Sequence, residues 1–212
     1  MRIRHPPGRA GRPWLAHRLE VARRGAELLD DKHRALSSER RRLEPGLADA
    51  RRAWERSAAE AERAFTRAAV LGGRRSLALA RTDPAVVTVR WRTILGVTCP
   101  AVAELAGPGT PPPAELGGSA ALLAAAEAHR RALEAALRLA VVASALGRID
   151  VELRATALRR NAIQHRWIPA HEEAIAELGL ALEELEREDG TRVRWVMDQA
   201  RDAGIGPARQ PP

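Results

Sequence analysis

Leu15, Leu19, Ala22, Ala26, Leu29, His33, Leu36, Arg40, Leu43, Leu47, Ala50, Trp54, Ser57, Ala61, Ala64, Ala68 and Leu71 follow one another in alternating steps of four and three residues. Only His33, Arg40 and Ser57 interrupt the apolar character of this series. Alternating steps of this kind bring every member to one side of an α-helix, forming a seam that a second helix can cover. The spacing predicts a helix over residues 15–71, roughly 85 Å long at about 1.5 Å per residue. A compact domain has no use for a helix of that length, so the pattern points to a shaft, lever or spacer rather than a pocketed enzyme.

Composition fits a narrow seam better than a broad core. Aromatic residues make up 3% of the 212 residues, with no Tyr and only Phe65 as phenylalanine. Large cores draw much of their buried area from aromatic rings, whereas Leu and Ala suffice between two helices. The formal charge is +8, and Lys32 is the only lysine among 35 basic residues. This balance predicts a salt-dependent affinity for polyanions. The single Cys99 cannot form an internal disulfide, so nothing requires an oxidising compartment. The stretch Leu139–Gly147 is too short to span a bilayer, and the N-terminus lacks the apolar core of a signal peptide. The expected location is cytoplasmic, with any membrane association made through partners.

Punctuation along the chain divides it into five segments. Residues 1–13, with Pro6, Pro7, Gly8, Gly11 and Pro13, read as an irregular arm, and residues 14–72 as the first coiled-coil helix. Pro45 interrupts that helix, yet Leu43, Leu47 and Ala50 keep the seam in phase across it, which predicts a kinked but continuous helix. Gly72 and Gly73 end it, followed by a short helical stretch from Arg74 to Ala80. Residues 73–118 hold the one β-branched cluster, Val86 to Val97 interleaved with Thr88, Thr93 and Thr98, bounded by Pro84 and Pro100. This reads as a two-stranded hairpin turning near Arg92 to Ile94, followed by a Pro/Gly loop over 107–118. An isolated hairpin is marginal in water, so it should lie against the helices or a partner. Residues 119–203 form a second helix, capped by Ser119. Its seam runs through Ile168, His171, Ile175, Leu178, Leu182 and Leu185 and extends through Val193, Val196 and Ala200, and Pro169 should bend it. Residues 204–212 read as a disordered tail. The expected fold is mostly α: a long antiparallel two-helix coiled coil with a small inserted β-hairpin.

Three segments carry a family resemblance. Residues 152–189 contain Arg159, Arg160, Asn161 and Ala162, then Ile168-Pro169, then a Glu-rich run ending at Arg187. Residues 19–36 place Ala22, Gly25, Leu28, Leu29, Lys32, Arg34 and Leu36 in a second pattern, and residues 93–102 place Gly96, Val97 and Pro100 in a third. Together, and in this order, they resemble the D subunit, the central-stalk rotor subunit, of the V-type and archaeal-type (A-type) rotary ATPases and ATP synthases. The resemblance implies a central rotor shaft inside the ring of catalytic and non-catalytic head subunits A and B. It further implies a bound small F subunit, also part of the rotor, and a funnel-like subunit, seated on the membrane ring, on which the shaft rests. Rotation would couple ATP synthesis or hydrolysis to proton or sodium transport. The hairpin resembles the family element associated with control of hydrolysis, so Val89, Trp91, Ile94, Gly96 and Val97 are the expected partner interface.

No catalytic, cofactor-binding or metal-binding residue is expected. A phosphate-binding loop needs Gly-Lys-[Ser/Thr], and Lys32 lies between Asp31 and His33. His165 and His171 are six residues apart and do not share a helix face, and His171-Glu172-Glu173 lacks the second histidine of a zinc protease. The alternative to a rotor is a basic coiled-coil scaffold or nucleic-acid-binding rod, suggested by arginine pairs such as Arg51-Arg52 and Arg130-Arg131. No aromatic platform interleaves with those arginines, as single-strand binding requires, and no specific nucleic acid is expected. Trp54, on the seam, is expected in the core.

Overall fold

In the computed structural model, residues 3–79, 84–106 and 120–202 are described. The Pro/Gly loop expected over 107–118, the Ser119 cap and the tail from 204 lie outside them. A single 3-10 turn, Gly8–Ala10, leads into helix α1, Gly11–Leu79; strands β1 (Val86–Ile94) and β2 (Val97–Ala106) follow. Helix α2 covers Ala120–Ala162, a π-helical turn covers Ile163–Trp167, and helix α3 covers Ile168–Asp202. The fold is mostly α, with long helices paired as an antiparallel coiled coil and a two-stranded hairpin inserted between them. Packing separates it into two compact units, one of Met1–Asp30 with Leu158–Pro212 and one of Asp31–Ala157.

The backbone of α1 stays helical through Pro45 and leaves helical geometry at Gly73, where φ is 68° and ψ is 177°. Proline removes one backbone donor and crowds the carbonyl four residues earlier. Here that carbonyl belongs to Arg41, and both Pro45 and Arg41 are exposed, so water can satisfy it. Gly73 sits at a positive φ that only glycine adopts freely.

The second long helical stretch handles its proline differently. Ile149, Leu153, Thr156 and Arg160 continue an alternation that would next select Ile163, Trp167, Ala170, Ala174 and Glu177. Ala174 is buried, but His171 and Leu178 are buried in place of Ala170 and Glu177, and Glu177 is exposed. The seam therefore carries one residue more than a regular heptad allows. The π-turn takes it up: the Ile168 amide donates to the Ile163 carbonyl, five residues back instead of four. The bend expected at Pro169 is thus an extra residue accommodated in the turn just before it. Proline has no amide to restore the ordinary bond to His165.

In the first unit the core is Leu15 against Ala174 and Leu178, with Ile3, Trp14, Ile175 and Leu182 around it. Gly11 starts α1 at a close approach: an added Cβ would lie 2.5 Å from the Pro6 carbonyl oxygen and 2.9 Å from Leu178 Cδ2. Ion pairs flank the seam, with Arg23 on Glu172 at 2.6 Å and Arg160 on Asp30 at 3.1 Å.

The second unit has two clusters. Ala61, Ala64 and Ala68 of α1 meet Leu122, Ala125 and Ala128 of α2; small side chains let two helices approach closely. Trp54, expected in the core, is instead 38% exposed. The second cluster joins Leu36, Ala145 and Ile149 to Val97 and Cys99 of the hairpin. Full burial of one such aliphatic side chain contributes about 2 kcal/mol. Arg40, the cationic interruption of the seam, turns its guanidinium to Asp150 at 2.8 Å and Glu44 at 3.1 Å. Lys32 reaches across to Glu152 at 2.6 Å. Leu71 and Leu185, expected on the buried seam, are 75% and 53% exposed. Leu185 lies beyond the start of α1, where Glu186 meets Arg9, and Leu71 adjoins the break in α1 at Gly73.

The hairpin turns later than its sequence suggests. Ile94 pairs with Val97, so Leu95 and Gly96 form the loop, not Arg92 to Ile94. Both loop residues have positive φ, 50° and 82°, the geometry that matches the twist of antiparallel strands. A bulge follows: Arg90 pairs with Val102 and Trp91 with Pro100, leaving Ala101 without a partner. It falls beside Pro100, which has no amide for the ladder. Glu39 of α1 anchors the hairpin near its turn, accepting from Arg42 at 2.6 Å and from Arg92 at 3.4 Å. The Arg42 hydrogen bond, aided by the charges of Arg42 and Arg92, holds the Glu39 carboxyl below its ordinary value of 4.5 against the opposing effect of burial.

Two outcomes follow from this geometry. Leucine at positive φ carries a penalty that asparagine largely escapes, so Leu95→Asn should stabilise the chain by about 1 kcal/mol in denaturant titration; unchanged or lowered stability would contradict the strained turn. Because the folded state holds Glu39 at a lowered pKa, its contribution is complete above 4.5 and is lost as pH falls through the folded value. Wild type should therefore exceed Glu39→Gln in stability near neutrality, with the difference shrinking as pH falls below 4.5 through the lowered folded value. A gap independent of pH would show that the carboxylate charge is not what anchors the hairpin.

Candidate partner interface

Strand β1 is exposed along nearly its whole length, and only Ile94 is partly covered. Alternation in a two-stranded sheet directs one face of the hairpin to the helices and leaves the other bare. Val97, Cys99 and Pro100 of β2 are buried against the helices, while Val86, Val87, Val89, Trp91 and Val102 are exposed. Of the expected interface residues, Val89 and Trp91 lie on the bare face, Ile94 is half-buried and Gly96 is exposed at the loop. Val97 is only 9% exposed and belongs to the core with Leu36 and Ile149. Its expected place on a partner surface is therefore corrected: it faces inward and anchors the hairpin.

Trp91 is held in place. The Arg148 guanidinium lies 5.0 Å from its ring centroid, and the same side chain donates to the Thr98 carbonyl at 3.1 Å. An open cleft of about 450 Å³ runs beside it, between Gly96, Val97 and Thr98 of the hairpin and Ser144, Gly147, Arg148, Val151 and Glu152 of α2. Gly147 and Gly96 border open space, and an added Cβ at either would meet nothing within 4 Å. Burial pushes the Cys99 thiol up despite the nearby Arg148 and Arg92, so it behaves as a small core residue.

A second surface is one that sequence reasoning missed as an interface. From Arg187 to Asp202 of α3 no residue is buried, and only Gly190 and Ala200 are partly shielded. Val193, Val196, Met197 and Ala200 nevertheless repeat at the i, i+3, i+4, i+7 spacing of an apolar helix stripe, with Trp195 beside it. The signal was legible: Val193, Val196 and Ala200 extend the seam in register, and what they lack is a helix opposite them among the described residues.

His171 and Lys32 are engaged in packing and pairing. His171 is buried on the seam, with Nδ1 2.8 Å from the Trp167 carbonyl and its ring 3.9 Å from the Trp167 ring. Arg18 lies over both Trp14 and Trp167, at 4.8 and 5.1 Å. Among the described residues, no group of three or more His, Cys, Asp and Glu is placed to hold a metal ion. No helix among them is long and apolar enough to cross a membrane.

Comparison with known proteins places this architecture. A family model for the D subunit of ATP synthase matches residues 14–198. The chain is 34% identical over 187 residues to the V-type ATP synthase D subunit of Anaeromyxobacter dehalogenans strain 2CP-C, covering 84% of this chain and 88% of that protein. It is 33% identical over 202 residues to the V-type D subunit of Anaeromyxobacter sp. strain Fw109-5, covering 90% and 92%. Against the A-type ATP synthase D subunit of Pyrococcus furiosus it is 32% identical over 188 residues, covering 86% and 88%. A match spanning both helical arms and the hairpin between them, shared with V-type and A-type relatives alike, means that the chain belongs to the family of ATP synthase D subunits.

Proposed function

We propose that the chain is the central rotor shaft of a V/A-type rotary ATPase or ATP synthase, a non-catalytic subunit. It turns inside the ring of head subunits A and B, binds the small F subunit of the rotor, and rests on the funnel-like subunit above the membrane ring. Its rotation couples ATP synthesis or hydrolysis to proton or sodium transport, and it associates with the membrane peripherally, from the cytoplasm, through those partners.

The observation that carries this reading is the bare end of α3. A single amphipathic helix end with Val193, Trp195, Val196 and Met197 exposed is poorly suited to water and well suited to insertion into a collar of other subunits. Polar pairs along the same stretch, Arg187 with Glu183 and Glu184 and Arg192 with Glu188, keep its remaining faces solvated. The arginine-rich faces favour a rotor over a nucleic-acid-binding rod. Arg23, Arg40, Arg131 and Arg160 reach carboxylates on the opposite helix, and Arg24, Arg52 and Arg130 pair along their own.

Purification of the tagged chain from its native membranes should recover subunits A and B in excess over it. Recovery of nucleic acid without head subunits would refute the rotor. In the assembled complex, the double substitution Val196→Asp and Met197→Asp should lower ATP-driven ion transport at least about tenfold, because two buried charges without partners cannot be accommodated. Normal transport by that variant would show that the end of α3 is not seated in the head.

A further inference from the structure

We propose that the π-turn at Ile163–Trp167 is a built-in joint. The second long helical stretch yields there by exchanging π for α hydrogen bonding and moving its extra residue along the helix, and Asp30 of α1 is the latch that holds it. The joint is a property of the chain itself and does not rest on the rotor reading.

Three independent observations converge on these residues. The hydrogen bonding is already irregular, with the Ile168 amide bonded five residues back to Ile163, and Pro169 supplies no amide to close an ordinary turn onto His165. Packing is thin in the same stretch on both helices. No residue from Ala157 to Ala170 is buried, and on α1 none is buried from Glu27 to Ala35. The margins are also incompletely satisfied: Thr156 Oγ1 and His171 Nε2 are the two buried side-chain atoms without a hydrogen-bond partner among the described residues. A buried polar atom left unpaired removes part of the reward for closed packing, and here one such atom stands at each margin of the stretch. Segments with few buried apolar contacts and accessible backbone bonds are those that open locally at low cost.

The latch follows from the spacing of two donors. Asp30 Oδ1 accepts from Arg160 Nη1 at 3.1 Å, and Oδ2 accepts from Gln164 Nε2 at 3.2 Å. Arg160 precedes the π-turn and Gln164 lies within it. Moving the extra residue past Gln164 would rotate that side chain by about 100° about the helix axis, which breaks one of the two bonds. A single carboxylate thus senses whether the extra residue is in its present place. On the far side Trp167 is held by its stack on His171 and by Arg18 above it.

Residue-resolved hydrogen exchange on the full-length chain tests this. In wild type, amides 163–168 should exchange at least about tenfold faster than those of Ala145–Ile149 and Ala174–Leu178; equal protection would overturn the joint. Pro169→Ala returns the missing donor and should slow exchange at 163–168 by about tenfold, and no change there would overturn the role of the proline. Asp30→Asn, which can accept from only one of the two donors while presenting its own N–H to the other, should speed exchange at 163–168 by about fivefold and leave the flanking stretches unchanged. Gln164→Leu removes one arm of the latch without touching a buried group and should act in the same direction, which keeps the test decisive if Asp30→Asn loosens the whole chain. Absence of any local change in Gln164→Leu would overturn the latch.

Discussion

Everything in this chain depends on keeping two helical seams in phase. A seam of Leu and Ala is narrow, and a displacement of one residue turns it by about 100° toward solvent. The first helix meets this constraint by regularity, with the same alternation from Leu15 through Ala68 even across Pro45. The second meets it by correction, with one surplus residue absorbed at Ile163–Trp167 so that His171, Ala174 and Leu178 return to the interface. A proline left in a regular helix would have cost roughly 3 kcal/mol. Placed just after a π-turn, its missing donor falls where the backbone bonding is already rearranged.

Polar residues on the seam are reconciled in two ways. Arg40 has a long stem that covers apolar surface while its guanidinium reaches Asp150 and Glu44 at the rim, so charge and burial do not conflict. Thr156 and His171 are too short to reach the rim, and each retains a buried atom without a partner. A satisfied partner would be worth on the order of 1 kcal/mol at each site. The chain forgoes this on both sides of the π-turn while packing Leu36, Ile149 and Leu15 without residual exposure. The coiled coil is therefore firm in some layers and weak in others, and the weak layers are grouped.

Much of the fold was legible because its signals are periodic or positional. Seventeen residues in alternating steps announce a helix regardless of context, Gly73 announces a departure from it, and the Val/Thr cluster between Pro84 and Pro100 announces a hairpin. What could not be read depends on the space between elements. Trp54 holds a correct seam position and is nevertheless 38% exposed, since phase along one helix does not set how closely the other approaches. Leu71 and Leu185 also hold seam positions, but Leu71 adjoins the break at Gly73 and Leu185 lies beyond the start of α1. The hairpin loop falls at Leu95-Gly96 because the Ile94–Val97 pairing places a leucine at positive φ, which local propensity argues against. Val97 has the look of a surface residue by its place in a short exposed hairpin; its inward direction is set by the bulge at Ala101 and the docking of Cys99.

The same geometry explains where apolar surface remains. Within each packed layer an exposed leucine is a failure of phase, but at the bare end of α3 and on the outer face of β1 the phase is intact and only the covering element is missing. Val193, Val196 and Met197 continue a correct stripe, and Val89 and Trp91 lie on the correct outer face of a correctly registered hairpin. A sequence under pressure only for solubility would replace such residues with charge at little cost to the fold, as it has done on the arginine- and glutamate-rich backs of the helices. Their place in register, on elements whose other residues obey the pattern closely, is consistent with the proposed seating among other subunits. Trp91 is braced by Arg148, and a side chain ordered in this way has less entropy to lose in any further contact.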